Sequence, residues 1–266
     1  MRARLRLIRA ASGRAWSPAA TLGAHREPLF AGGLLLATLF AIYVRLIFQG
    51  LVLAGYDVQT YFYPYWAYTF EALRAGRPPL WNPHLFMGAP FLANPQAAVF
   101  YLPNWPLLAF PPERALALAV MLHVALAAGG AVALSRRALG LSWPAATTTA
   151  AVFAFGGFFA GQLGHVNQIS AVAWLPWLLF ALDRVVTGSR RWWVVAPLLT
   201  ALMLLAGHPQ QAYIGFAFVL LYALVVGVHR ASGSGARLAW ARAAARALAS
   251  WALVVTGGVL LAAVQL

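Results

Sequence analysis

The chain contains no cysteine, which rules out disulfides and thiolate metal sites and says nothing about compartment. Acidic side chains are nearly as scarce: Glu27, Asp57, Glu71, Glu113 and Asp183 are the five among 266 residues. Charged residues of both signs reach 9%, against roughly 25% in an ordinary soluble domain. Paired-carboxylate spacing, a phosphate-binding glycine loop and a Ser-His-Asp order are absent as well, which removes the enzyme classes built on those motifs.

What the chain has is apolar length. With 62% hydrophobic residues and a mean hydropathy of +0.75, it reads as a polytopic membrane protein. Seven runs are expected to cross the roughly 30 Å hydrocarbon layer. They are Leu29 to Phe48, Ala115 to Leu134, Ala145 to Leu163, Ile169 to Val186, Trp192 to Ala206, Ala212 to Val228 and Leu248 to Leu266, and the fifth is short. Helices are the open-ended structures that satisfy their own backbone in lipid, so the expected fold is all-α, with interfacial helices in the first outer loop. The formal charge is +14, but its arginines stand in blocks between the runs. That pattern points to anionic membrane lipids as partners and away from nucleic acid.

The same arginines set the orientation, because positive loops stay cytoplasmic. Arg2, Arg4, Arg6, Arg9, Arg14 and Arg26 precede the first span, Arg136 and Arg137 follow the second, Arg184, Arg190 and Arg191 follow the fourth, and Arg230, Arg237, Arg242 and Arg246 follow the sixth. Residues 1–28 are therefore expected to be a basic cytoplasmic N-terminus and residues 50–114 a large extracytoplasmic loop. Val52-Leu53-Ala54 resembles a signal cleavage site, yet the preceding run of about 20 residues exceeds the roughly 7–15 of a signal peptide, which favours an uncleaved anchor. Residues 229–247 are expected to form a cytoplasmic amphipathic segment on the lipid surface, after a Gly-Ser linker at Ser232 to Gly235. The sequence stops inside an apolar run at Leu266, so residues 1–266 are expected to be one transmembrane domain, the N-terminal fragment of a longer protein.

The chemistry-bearing residues gather after the first span. Asp57 falls at the mouth of a membrane helix, where an uncompensated carboxylate is costly unless it is used. From Tyr61 to Leu73 aromatic and aliphatic residues share a helical face, with Pro64 in a first turn and Gly76 as the stop. Such a helix serves equally as an interfacial aromatic belt or as a substrate wall. The prolines and glycines of Arg77-Pro78-Pro79-Leu80-Trp81-Asn82-Pro83 and Met87-Gly88-Ala89-Pro90 dictate a rigid loop. The topology sends three more polar elements to the same face: Gly161 to Gln168 with His165, Asn167 and Gln168, the string Gly207-His208-Pro209-Gln210-Gln211, and Asn94-Pro95-Gln96.

Asp57 with Gln59 and Tyr61, Pro79-Leu80-Trp81-Asn82-Pro83, Gly88-Ala89-Pro90, Asn94-Pro95-Gln96, Phe100-Tyr101-Leu102-Pro103 and Gly207-His208-Pro209-Gln210 together resemble the bacterial YfhO-like multi-pass membrane proteins, from about Gly50 to the end. The resemblance implies a GT-C-type glycosyltransferase of the bacterial cytoplasmic membrane. Such an enzyme takes sugar from a polyprenyl-phosphate donor and passes it to a cell-envelope acceptor on the outer face. It further implies that Asp57 is the catalytic carboxylate of the first loop. The chain is shorter than members of that family, and Asp57 has no acidic neighbour, Glu71 lying fourteen positions on.

Residue chemistry is compatible with that implication. Transfer to a hydroxyl needs a base on the acceptor and neutralisation of the departing phosphate. Asp57 supplies the first, and Arg45 with Arg74 or Arg77 could hold a lipid phosphate, while simple snorkelling or an Asp57 ion pair explains Arg45 as well. Asp183 is expected to pair locally with Arg184. Expected contacts to the donor come from Gln59, Tyr61, Trp81, Asn82, His84, Asn94, Gln96, His165, His208 and Gln210. No cofactor is fixed by the sequence. His84, His165 and His208 leave a divalent metal open, but they lack the short spacing of a preformed site, so no metal ligand is assigned. His123, in mid-span, reads as a satisfied interhelical histidine. Two other classes remain. A transporter or flippase of lipid-linked sugars would need midplane polar groups and broken helices, for which Pro176 and Pro197 are candidates, and a non-catalytic assembly subunit would need no polar cluster at all.

Overall fold

The structure is a computed structural model that describes residues 18–49, 53–231 and 237–265. Arg2, Arg4, Arg6, Arg9 and Arg14, the cleavage-like Val52 and the Ser232 to Gly235 linker lie outside the described residues. Helix α1 (Pro18–Phe48) leads to the loop, where a π-helical turn (Val58–Phe62) runs directly into α2 (Tyr63–Arg74). A two-residue antiparallel hairpin follows, β1 (Trp81–Asn82) pairing with β2 (Ala89–Pro90), then 3₁₀ turns at Pro95–Ala97 and Leu102–Ala109. The rest is helical: α3 (Pro112–Ala133), α4 (Trp143–Ala154), α5 (Gly157–Gly161), α6 (Val166–Val172), α7 (Leu175–Val186), α8 (Trp192–Leu205), α9 (Pro209–Ala231) and α10 (Arg237–Ala262).

The fold is all-α, and five stretches are long and apolar enough to cross a membrane: Arg26–Leu46, Pro112–Ala138, Val166–Val186, Pro209–Ala231 and Arg237–Ala262. Two of the seven expected spans depart from that description. Helix α8 has 14 residues, about 21 Å at 1.5 Å per residue. The run from Ala145 to Leu163 is broken after Ala154, so α4 covers only about 18 Å with its 12 residues. The cause is Gly156, whose extended backbone lies so close to the Val152 carbonyl that a Cβ there would stand 2.2 Å from the oxygen. Residues 237–247 form the first part of α10, in the same helix as the apolar run after them.

Small residues let the helices approach. The Trp177 ring lies where a Cβ on Gly130 would be, and its Nε1 donates to the Leu126 carbonyl at 2.8 Å. Gly215 likewise accommodates Met203, and Gly258 accommodates Thr200. Such close contacts replace the hydrophobic driving force that lipid withholds. One apolar cluster joins α1, the π-helical turn, α2, α3 and α4 through Leu39, Phe62, Trp66, Val120 and Ala150. A second joins α7 to α10 through Leu178, Met203, Val219 and Val254.

A buried polar chain ties the two clusters to the loop. His123 Nδ1 bonds the Ala119 carbonyl at 2.6 Å, His123 Nε2 meets the Tyr101 hydroxyl at 2.6 Å, and Trp174 Nε1 donates to that hydroxyl at 2.6 Å. Every group in the chain has a partner when the His123 proton sits on Nδ1. The interhelical reading of His123 thus gains a loop partner, Tyr101, which anchors the loop between α1 and α3 in the bundle. Asp183 pairs with Arg230 at 2.9 Å, not with Arg184, which donates to the Arg137 carbonyl. Adjacent helical residues diverge by about 100° and do not face each other.

Candidate functional site

Asp57 opens the first turn of the loop helix, where the π-helical turn places Thr60 and Tyr61 on its side. Its Oδ2 lies 2.8 Å from His165 Nε2, contributed by the turn between α5 and α6. Both side chains remain partly open to solvent, at 44% and 38% exposure. An ionised carboxylate only accepts, so Nε2 carries the shared proton. His165 Nδ1 is buried without a partner, which makes Asp57 the contact that orients the ring.

Three further segments converge on the pair. Asn94 caps the 3₁₀ turn by accepting from Gln96 N–H at 2.9 Å, and its amide donates to the Tyr61 and Tyr65 hydroxyls at 2.9 and 3.2 Å. Those two rings stack at 4.2 Å. Burial pushes the Tyr61 phenol up to about 12, against the opposing effect of the Asn94 contact, so it stays protonated. Asn167, 6% exposed, donates to Gln96 Oε1 at 3.2 Å and to the Gly207 carbonyl at 3.1 Å. Gly207 is required twice over: its φ is +86°, and a Cβ would stand 2.7 Å from the Pro95 carbonyl. This glycine brings the end of α8 against the loop.

His208 follows. Its Nδ1 accepts from Gln211 N–H at 3.2 Å, which puts the ring proton on Nε2 in the neutral form. Burial, reinforced by the neighbouring His165, lowers its pKa below the usual histidine value despite a backbone contact that opposes the shift. Gln211 also donates to Gln168 Oε1 at 3.1 Å. The result is a cleft of about 380 Å³ walled by Asp57, Thr60, Tyr61, Gln96, His165, Asn167, Gln168 and His208, with Tyr56 and Phe62 beside them.

Of the residues singled out from sequence, the cleft gathers Asp57, Tyr61, Gln96, His165 and His208, with Asn94 supporting it from behind. The others are placed elsewhere. Gln59 lines a separate cleft with Tyr63 and Glu113. Arg45 donates to Gln49 on its own helix at 3.0 Å. Arg74 clamps the loop by donating to the Leu108 and Phe110 carbonyls and covers the Phe70 ring. Arg77 and Gln210 are exposed. Trp81 packs under Gly88, Asn82 is buried and accepts from His84 N–H at 2.9 Å, and His84 meets the Tyr68 ring edge-on, so these three build the hairpin. Thr60, Asn167 and Gln168 line the cleft without being among the ligands expected from sequence, although Asn167 and Gln168 share a polar string with His165. Among the described residues no group of three or more His, Asp or Glu side chains is arranged to hold a metal ion.

The arrangement offers a carboxylate positioned to accept a proton, an imidazole holding it, a neutral imidazole with N–H to donate, and two carboxamides fixed by one another. In comparisons with known proteins, no family model, no curated protein and no solved structure matches this chain.

Proposed function

We propose that this chain is a glycosyltransferase of the bacterial cytoplasmic membrane that moves a sugar from a polyprenyl-phosphate donor to an extracytoplasmic cell-envelope acceptor. The observation that carries the reading is the Asp57–His165 pair in a polar cleft at one end of an apolar bundle. Asp57 accepts the proton of the acceptor hydroxyl as that oxygen bonds to the anomeric carbon. The bond from that carbon to the phosphate oxygen breaks, and the polyprenyl phosphate leaves with the electron pair. The developing phosphate charge needs donors within the cleft, and His208 Nε2–H with the Gln168 amide, whose oxygen alone is engaged, suits that role better than Arg45, Arg74 or Arg77, which are engaged or outside it. The arginine distribution supports an outward-facing cleft.

A transporter would carry its polar groups near the midplane. Here the buried polar chain around His123 is closed on itself, with no partner missing, which favours an interfacial site. The test is transfer of labelled sugar from a polyprenyl-phosphate donor by the purified protein in proteoliposomes. Release of polyprenyl phosphate that depends on Asp57 supports the reading. Donor left intact by a folded wild-type protein, or flipped without cleavage, sinks it.

A further inference from the structure

A second cavity lies at the other end of the bundle, between α1 and the helices α3 and α4. It measures about 310 Å³ and is lined by Pro28, Gly32, Leu35 and Leu39 on one side and Ala128, Gly129 and Trp143 on the other. Its lining along α1 runs from residue 28 to residue 39, about 16 Å at 1.5 Å per residue. One leaflet of hydrocarbon is about 15 Å thick, half of the roughly 30 Å bilayer core. The groove therefore runs the depth of a single leaflet. It is long enough to take one acyl chain of that leaflet.

Its mouth is marked by charge. The Arg136 guanidinium lies 4.5 Å from the centre of the Trp143 ring, which itself lines the groove. Arg136 also donates to the Leu141 carbonyl, its Nε has no partner, and among the described residues no carboxylate stands within ion-pair distance of it. Arg26 opens the first membrane-crossing stretch, two residues before Pro28 of the groove wall. A tryptophan beside an arginine that has no carboxylate partner among the described residues is the pattern of the headgroup level, where an anionic phosphate is attracted and a zwitterionic headgroup much less.

We propose that this groove is a binding site for one anionic phospholipid of the leaflet on the Arg136 side, its acyl chain between α1 and α3 and its phosphate at Arg136. The lipid completes the packing of α1, whose membrane-crossing stretch is among the least buried in the bundle. The site is independent of the proposed transfer chemistry.

The experiment is thermal unfolding of the purified full chain in neutral detergent, titrated with phosphatidylglycerol or phosphatidylcholine. Binding to the folded state alone raises Tm with lipid concentration. A rise of several degrees with phosphatidylglycerol that clearly exceeds the rise with phosphatidylcholine is expected. Gly32→Leu should abolish that excess with Tm in detergent alone unchanged, because a Cβ at Gly32 meets nothing within 4 Å and the larger side chain enters the groove. Equal rises with the two lipids, or an undiminished excess in Gly32→Leu, would overturn the proposal. A second measurement uses the wild-type protein, so a variant that fails to fold leaves the question decidable. Phosphatidylglycerol with a diazirine in its acyl chain should crosslink to peptides covering residues 28–39 and 125–132. Labels spread evenly over all lipid-facing helices would contradict the site.

Discussion

Asp57 and Asp183 lie in regions that treat a carboxylate in opposite ways. Asp183 is 2% exposed and held by Arg230 at 2.9 Å, with the Tyr222 hydroxyl also aimed at it. Its partner is permanently charged, and nothing is left for a ligand to reach. Asp57 is 44% exposed, its partner is an imidazole, and both border a cleft of about 380 Å³. A sealed pair with a fixed cation holds helices together, whereas an open pair with a titratable partner leaves lone pairs and room for a reacting hydroxyl. The geometry around each aspartate, more than its identity, separates structure from chemistry.

That contrast breaks or sharpens under substitution. Asp57→Asn should reduce sugar transfer by about 10²–10⁴-fold, the range for loss of a positioned base, with the melting temperature nearly unchanged because the side chain is half exposed. Assay of transfer beside a thermal melt checks both halves. At the other end, Arg230→Gln should destabilise by up to about 3 kcal/mol, the low end for breaking a buried pair, since it strands Asp183. Asp183→Asn should cost less, because Arg230, 42% exposed, regains water. Chemical unfolding of the two variants tests the order, and folded protein of either kind should keep its transfer rate.

Between the two regions, Tyr101→Phe should cost about 1–3 kcal/mol, because it leaves Trp174 N–H and His123 Nε2 buried without a partner. The smallest effect concerns pH. The folded protein holds His208 below its usual pKa, so the unfolded chain takes up that proton first as acid is added. Its contribution is complete above about pH 6.5, the ordinary histidine value, and is lost as pH falls below it. Melting temperature measured from about pH 7 to 5 should fall less steeply in His208→Gln, with Asp57 and His165 retained across the cleft.

Much of the architecture is legible in composition and periodicity, because lipid allows so few backbone solutions. The broken run at Gly156 is less so. Hydropathy does not register backbone geometry, and the Gly156-Gly157 doublet is its one signal. Within the site, Asp57 stands out because acids are so rare, and Gln96, His165 and His208 because polar strings interrupt apolar runs. Their meeting is set by the turn at Gly207 and the Asn167 side chain, which bonds segments 71 and 40 residues away, and no local spacing encodes such contacts. Asn82 and His84 look equally polar in sequence, yet they serve the hairpin, since a turn consumes side-chain hydrogen bonds as readily as a ligand does. The pairing of Asp183 was open to geometry from the start, because helical neighbours one apart point in different directions.

The central claim is that Asp57 and His165 act on a transferred sugar as one unit. A double-mutant cycle measures it: transfer rates of the wild type, Asp57→Asn, His165→Ala and the double variant, with the same polyprenyl-phosphate donor. Residues that act through each other lose their function together. The double variant should therefore be no slower than Asp57→Asn alone. Losses that multiply, each substitution costing its full factor in the presence of the other, would contradict the account.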